Sequence, residues 1–166
     1  MEETLRINIS GDQSVTAVRT FPQGHPRNWM FIYSPGAGSN IHDTFGSHAC
    51  RTLATKGISS VRFQFPYMES GRRRPDTRHM LETTWCRVID AVRVNDLKLV
   101  VGGRSMGGRI ASQVVAKGME VDGLALFAYP LHSPGKPPQW RDEHLQKINI
   151  PTLFCSGTHD TFATPK

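Results

Sequence analysis

Cysteine is scarce in this sequence. The chain has three, Cys50, Cys86 and Cys155. An odd number at wide spacing excludes a paired disulfide framework, and no metal-ligand spacing links them. Free thiols in a reducing compartment are expected, hence a cytoplasmic location, with no metal and no cofactor. No apolar run approaches the ~20 residues of a spanning helix, so no membrane partner is expected. The opening "MEETLRINIS" lacks a basic n-region and an apolar h-region, which argues against a secretory leader. Acidic residues are outnumbered, 14 against 20 Lys and Arg, for a net charge of +6. Without a stacking or groove-reading motif that excess does not make a nucleic-acid binder.

No repeat, low-complexity tract or interdomain linker is present either, and residues 1–166 read as one domain large enough to bury a core. Two strands open it, "LRINIS" and "SVTAVRT", split by a turn at Gly11-Asp12. Continuous apolar runs follow: "WMFIYS", "ISSVRFQF", "LKLVVGG", "VDGLALFAYP" and "INIPTLFCSG". Between them lie helical patterns: Phe45, Ala49 and Leu53; then Leu81, Trp85, Val88 and Val92, with Asp76 or Thr77 as N-cap; then Ile110, Val114 and Val115. A short helix is expected near Trp140 to Gln146. Buried strands alternating with amphipathic helices predict an α/β fold, a mostly parallel twisted sheet with helices on both faces. Function then belongs at the carboxyl ends of the strands, in loops 35–43, 66–76, 104–106 and 131–138 and beyond Gly157.

"KLVVGGRSMGGRIA" carries the chemistry. Gly103-Arg104-Ser105-Met106-Gly107 is a G-x-S-x-G run with a strand before it and a helix after it. A serine hydroxyl is a poor nucleophile unless exposed and activated. A sharp strand-to-helix turn gives the exposure, and flanking glycines let the elements close. The new helix start aims the Met106 N–H at a developing oxyanion. The bland alternative is a tight turn whose serine caps the helix. "SPGAGSN" supplies the second donor, the Ala37 N–H. As a dinucleotide fingerprint it lacks the third glycine, where Ile41 stands, and as a phosphate loop it lacks Gly-Lys-Ser/Thr. Asp160, just past the last strand in "FCSGTHD", sits where a triad acid falls in this chain order.

"LVVGGRSMGGR", "SPGAGSN" and "FAYPLHSPGKP" with "RDEHLQKINIPTLFCSGTHD", in that setting, resemble the α/β-hydrolase superfamily, in particular its small dienelactone-hydrolase-like members. The likeness runs from about Asn28 to Asp160. It implies a serine hydrolase of the esterase type acting by acyl transfer on a small-molecule ester or acyl substrate. Ser105 would be the nucleophile, Met106 and Ala37 the oxyanion donors, and Asp160 the acid.

Two departures accompany the resemblance. Pro35-Gly36 stands where many relatives carry His-Gly. The family's catalytic histidine follows an eighth strand, whereas only six residues follow Asp160 here, none of them histidine. The chain thus looks like the family fold lacking its last strand and helix, with the "INIPTLFCS" strand left as a sheet edge open to dimerisation. Among internal histidines, His132 is the candidate substitute base. His42 and His159 lie near the rim, and His25, His48, His79 and His144 carry no positional argument. Arg72, Arg73 and Arg74 are candidates for binding a substrate anion, against a solvated charge run as the plain reading. Arg104 is expected to tie down the rim through salt bridges. The competing function class is a non-catalytic interaction module on the same scaffold.

Overall fold

A computed structural model describes residues 1–132 and 140–163 of the chain. Most of the expected rim loop at 131–138 therefore lies outside the described residues.

The elements run β1 (Glu2–Ser10), β2 (Gln13–Thr20), β3 (Trp29–Ser34), α1 (Thr44–Thr55), β4 (Ser59–Phe63), α2 (Pro66–Glu69), α3 (Arg78–Val92), β5 (Lys98–Arg104), α4 (Met106–Ala116), β6 (Gly123–Phe127), a 3₁₀ helix (Glu143–Lys147) and β7 (Thr152–Cys155). One seven-stranded sheet takes the order β1-β2-β4-β3-β5-β6-β7. β1, β2 and β4 pair antiparallel, and every pair from β4 to β7 is parallel. The mostly parallel sheet expected from the sequence is the one observed.

Helices cover both faces, as β3 shows residue by residue. Met30 and Ile32 point into a large cluster with Leu81, Trp85 and Ile89 of α3 and Ile110 and Val114 of α4. Phe31 and Tyr33 point the other way, onto Cys50 of α1. Strand side chains alternate, so one strand serves two cores. Glu82 of α3 bridges Arg78 and Lys117, tying α3 to the end of α4.

The α1 stripe is corrected by one residue. The expected face was Phe45, Ala49 and Leu53, but the buried residues are Gly46, Cys50 and Ala54. A Cβ at Gly46 would stand 2.2 Å from the Tyr33 ring, so small residues let α1 sit close on the sheet. The larger stripe splays beside them. Thr77, not Asp76, caps α3 by accepting from the Met80 N–H, while Asp76 accepts from the Tyr67 N–H and from Arg72. The last strand is shorter than expected, Thr152–Cys155, and forms the sheet edge with Leu153 57% and Phe154 49% exposed.

This strand order positions the site. From β3 the chain goes first to β4 on one side and then to β5 on the other, so the loops after β3 and β5 diverge from adjacent carboxyl ends. That divergence opens a crevice, where doubly wound sheets place ligands.

Candidate active site

Glycines set the turn between β5 and α4. A Cβ at Gly103 would fall 2.1 Å from the Ser34 carbonyl oxygen, and one at Gly107 would fall 2.2 Å from the same oxygen. Only residues without a Cβ let β5 and α4 close on β3 this tightly. Between them Ser105 adopts φ 51° and ψ −116°. That conformation costs of order 1–3 kcal/mol for a residue with a side chain and persists only where the surroundings enforce it. Here the Ser105 N–H donates to the Phe127 carbonyl at 2.8 Å, and the Trp85 indole N–H donates to the Gly107 carbonyl at 3.2 Å.

The Ser105 side chain makes no capping hydrogen bond to α4, so the plain reading of a helix-capping serine does not hold. It instead lines a cleft of about 510 Å³ together with Gly36, Ala37, Ser39, Asp43, Arg104, Met106, Arg109, Pro130, Arg141 and Phe162. Met106 opens α4, where the first backbone N–H groups of a helix have no intrahelical partner. Gly36 lies opposite, where a Cβ would sit 3.5 Å from the Ser105 Cβ.

The loop after β3 is fixed from below. The Gly38 N–H donates to the Tyr67 hydroxyl oxygen at 2.9 Å, and the Ile41 N–H donates to Gln64 Oε1 at 3.2 Å. Buried Arg62 reaches the Ile41 carbonyl at 2.9 Å. Asp43 Oδ2 accepts from the Tyr33 hydroxyl at 2.6 Å and from the Gly46 N–H at 2.8 Å, capping α1. Burial foremost, then the bond to Asp43, pushes the Tyr33 phenol up, so Tyr33 stays neutral and donates. α2, absent from the sequence expectation, is what brings Tyr67 under this loop.

Not every expected residue reaches the cleft. Asp160 lies just outside its lining and accepts from the Phe162 N–H at 3.0 Å in a tight turn. That turn carries Phe162 into the cleft, and the Phe162 carbonyl accepts from the His132 N–H at 3.2 Å. The His132 ring meets Trp140 edge-on at 5.7 Å. Among the described residues no histidine lines the cleft. His159 sits beside the Thr158 hydroxyl, and the His42 N–H donates to Asn40. Arg72 is paired with Asp76 at 2.6 Å, and Arg73 and Arg74 are exposed; none of the three lines the cleft. The expected salt bridge of Arg104 is absent among the described residues.

The cleft arginines are Arg104, Arg109 and Arg141. Arg109 had a signal in the sequence, since it follows Ser105 by four residues and four residues return a helix to the same face. His144 is the other residue without a positional argument that the fold puts to use. Its Nε2 lies 2.8 Å from the Ser112 hydroxyl and 3.3 Å from that of Tyr129. Those hydroxyls donate to the Arg109 and Arg141 carbonyls, which leaves their oxygens free to accept from an Nε2–H. Burial foremost, then the charges of Arg78 and Arg109, pull its pKa down against Asp142.

A twisted seven-stranded sheet with this order, and a strained serine turn at its crevice, defines the α/β-hydrolase fold. The chain belongs to the alpha/beta hydrolase domain family, whose model matches residues 27–166. Solved structures agree on the fold. A Coxiella burnetii α/β serine hydrolase homologue superposes with TM-score 0.71 at 18% identity, covering 93% of this chain and 86% of that one. An α/β serine hydrolase without lid from Xanthomonas campestris gives 0.72 at 18%, covering 97% and 86%. A dienelactone hydrolase from Anabaena variabilis gives 0.70 at 14%, covering 99% and 90%.

Proposed function

We propose that this chain is a serine hydrolase of the esterase or dienelactone-hydrolase type, acting on a small-molecule ester or acyl substrate. The observation that carries the reading is Ser105, held at φ 51° with an uncapped hydroxyl lining a cleft shared with Ala37 and Met106. In this reading Ser105 Oγ bonds to the acyl carbon and loses its proton to a base. The carbonyl oxygen takes the negative charge, held by the Met106 and Ala37 N–H groups. Collapse expels the alcohol, which carries off a proton, and water then releases the acid from the serine. Asp160 is the acid that orients the base.

The base is the weak part of the machinery. Among the described residues no histidine lines the cleft, so turnover by the 166-residue chain is expected near background. Hydrolysis of p-nitrophenyl acetate tests this. The expected result is a slow rate abolished in Ser105→Ala and unchanged in His132→Ala. A rate indifferent to Ser105→Ala would overturn the reading, and loss in His132→Ala would make His132 the base.

A second reading is a binding module that keeps the scaffold without the chemistry. No catalysis above a heat-treated control, with ligands still bound in the cleft, would select it. No described helix is long and apolar enough to cross a membrane. The three free thiols fit a reducing compartment, and we assign the protein to the cytoplasm on that ground.

A further inference from the structure

Two side chains at the carboxyl end of β4 hold one residue of the loop that carries Ala37. Arg62 and Gln64 stand two positions apart on an extended chain, so they point to the same side. Arg62 Nε donates to the Ile41 carbonyl at 2.9 Å, and Gln64 Oε1 accepts from the Ile41 N–H at 3.2 Å. Both backbone groups of Ile41 are thus tied down. Ile41 follows Ala37 by four residues, and between them Tyr67 holds the Gly38 N–H.

Arg62 is only 4% exposed, and its two Nη atoms belong to another partner. They donate to Glu2 Oε1 and Oε2 at 3.0 and 3.2 Å, a bidentate pair between positions 60 residues apart. Nη1 also donates to the Thr20 hydroxyl at 3.3 Å. The bond from Arg62 foremost holds the Glu2 carboxyl below its usual range. A carboxylate gripping both Nη atoms fixes the plane of the guanidinium, and that plane aims Nε. A buried ion pair bears a desolvation cost that an apolar side chain of similar volume avoids. What this pair adds is direction.

We propose that Arg62, aimed by Glu2, is a positioning residue for the reaction: it sets the loop that presents the Ala37 N–H to the oxyanion. The inference rests on the serine-hydrolase reading for what the loop does, but not for the clamp itself. Glu2 opens β1, so the hairpin at the far edge of the sheet becomes part of the support of the cleft. A donor displaced by about 1 Å can lose on the order of 10²-fold in rate. The oxyanion forms only on reaction, so the loss falls on the reacting step rather than on binding.

Two measurements on Glu2→Gln test this, with Glu3→Gln as a control that removes the same charge from the exposed neighbouring residue. Hydrogen–deuterium exchange reads the clamp. Segment 36–43 is expected to exchange about tenfold faster in Glu2→Gln, the effect of one weakened charge-assisted hydrogen bond, with α3 and β5 unchanged. Labelling by an alkyl fluorophosphonate reads the consequence. The maximal rate at Ser105 should fall at least about tenfold while the half-saturating concentration stays within about twofold. Arg62→Lys keeps the charge but loses the fork and should repeat both effects, whereas Glu2→Asp should recover part of each.

Unchanged exchange of 36–43 in Glu2→Gln would overturn the proposal. So would faster exchange spread evenly over the sheet, which would make the pair merely structural. Faster loop exchange with an unchanged labelling rate would overturn it too, and so would the same changes in Glu3→Gln. Should Arg62→Lys fail to fold, Glu2→Gln still decides. Failure of the serine reading looks different: Ser105 stays unlabelled in the wild type while the exchange contrast between Glu2→Gln and Glu3→Gln persists. That result keeps the clamp and removes the reaction.

Discussion

On one face of the sheet, α3 and α4 seal a continuous core in which Trp85, Phe63, Ile110 and Leu126 are fully buried. On the other, α1 packs on β2, β3 and β4. There Trp29, Phe31, Phe45, Leu53, Val100, Phe127 and Leu153 line an open apolar groove of about 400 Å³. The Phe45 and Phe127 rings meet at a tilt, with centroids 4.9 Å apart, without closing it. Stability therefore rests on the closed face. The same face braces the candidate site, because Trp85 holds Gly107 and Gly107 holds the Ser105 turn.

Breaking the closed face is the largest perturbation. Trp85→Ala is expected to cost about 3–5 kcal/mol, the range for emptying a large buried aromatic site. Its ring packs edge-on against Phe63 at 4.8 Å and its indole N–H holds the Gly107 carbonyl. Denaturant unfolding measures the loss; a loss under 1 kcal/mol would mean that the closed face is not what stabilises the fold. Gly107→Ala comes next, at about 1–3 kcal/mol from overpacking. Its new methyl would stand 2.2 Å from the Ser34 oxygen and 2.5 Å from the Pro35 oxygen, both rigid backbone. A variant as stable as the wild type would show that β3 and α4 can separate freely.

The 3₁₀ helix is latched to α4 through His144, which gives the closed face a pH dependence. With its folded pKa below the ordinary 6.5, His144 favours the folded state when neutral. That contribution is fully present above about pH 6.5 and is lost as pH falls through the depressed folded value. Below 6.5 the unfolded chain takes up the proton first. His144→Gln should flatten this part of the stability profile, measured by thermal unfolding between pH 5 and 8. An identical slope in the variant would remove His144 from the account.

The open face is expected to behave in the opposite way. Leu153→Lys should change stability by less than about 0.5 kcal/mol, since the side chain is 57% exposed. It should instead reduce self-association at high protein concentration, because β7 is a sheet edge flanked by apolar surface. Sedimentation of both proteins over a concentration series reads this. A wild-type chain that stays monomeric throughout would refute association through β7.

The two faces also differ in how well the sequence reveals them. The α3 stripe of Leu81, Trp85, Val88 and Val92 is legible because its apolar residues face the core directly. The α1 stripe misleads because its larger apolar residues border the open groove, while Gly46 and Cys50 make the close contact with β3. Hydrophobic periodicity finds the apolar side of a helix, which is the buried side only where the core is closed. The serine turn was legible because its glycines, its strand and its helix are contiguous. The cleft charges were not, since Arg72 to Arg74 draw attention by density while Arg109 reaches the cleft through its helical position. Asp160 and His132 depend on how the segment after β7 meets the chain beyond β6, which spacing does not encode.

The central claim is that Ser105, rather than any other serine, is the reactive one. Ser112 gives a sharp contrast, since it hydrogen-bonds a histidine, His144, yet is fully buried behind the turn. Treatment with an alkyl fluorophosphonate, followed by intact-mass and peptide mapping, asks which hydroxyl reacts. The account predicts slow, stoichiometric modification of the peptide containing Ser105, abolished in Ser105→Ala and retained in Ser112→Ala. Modification at Ser112, or none in the folded wild-type chain, would contradict it.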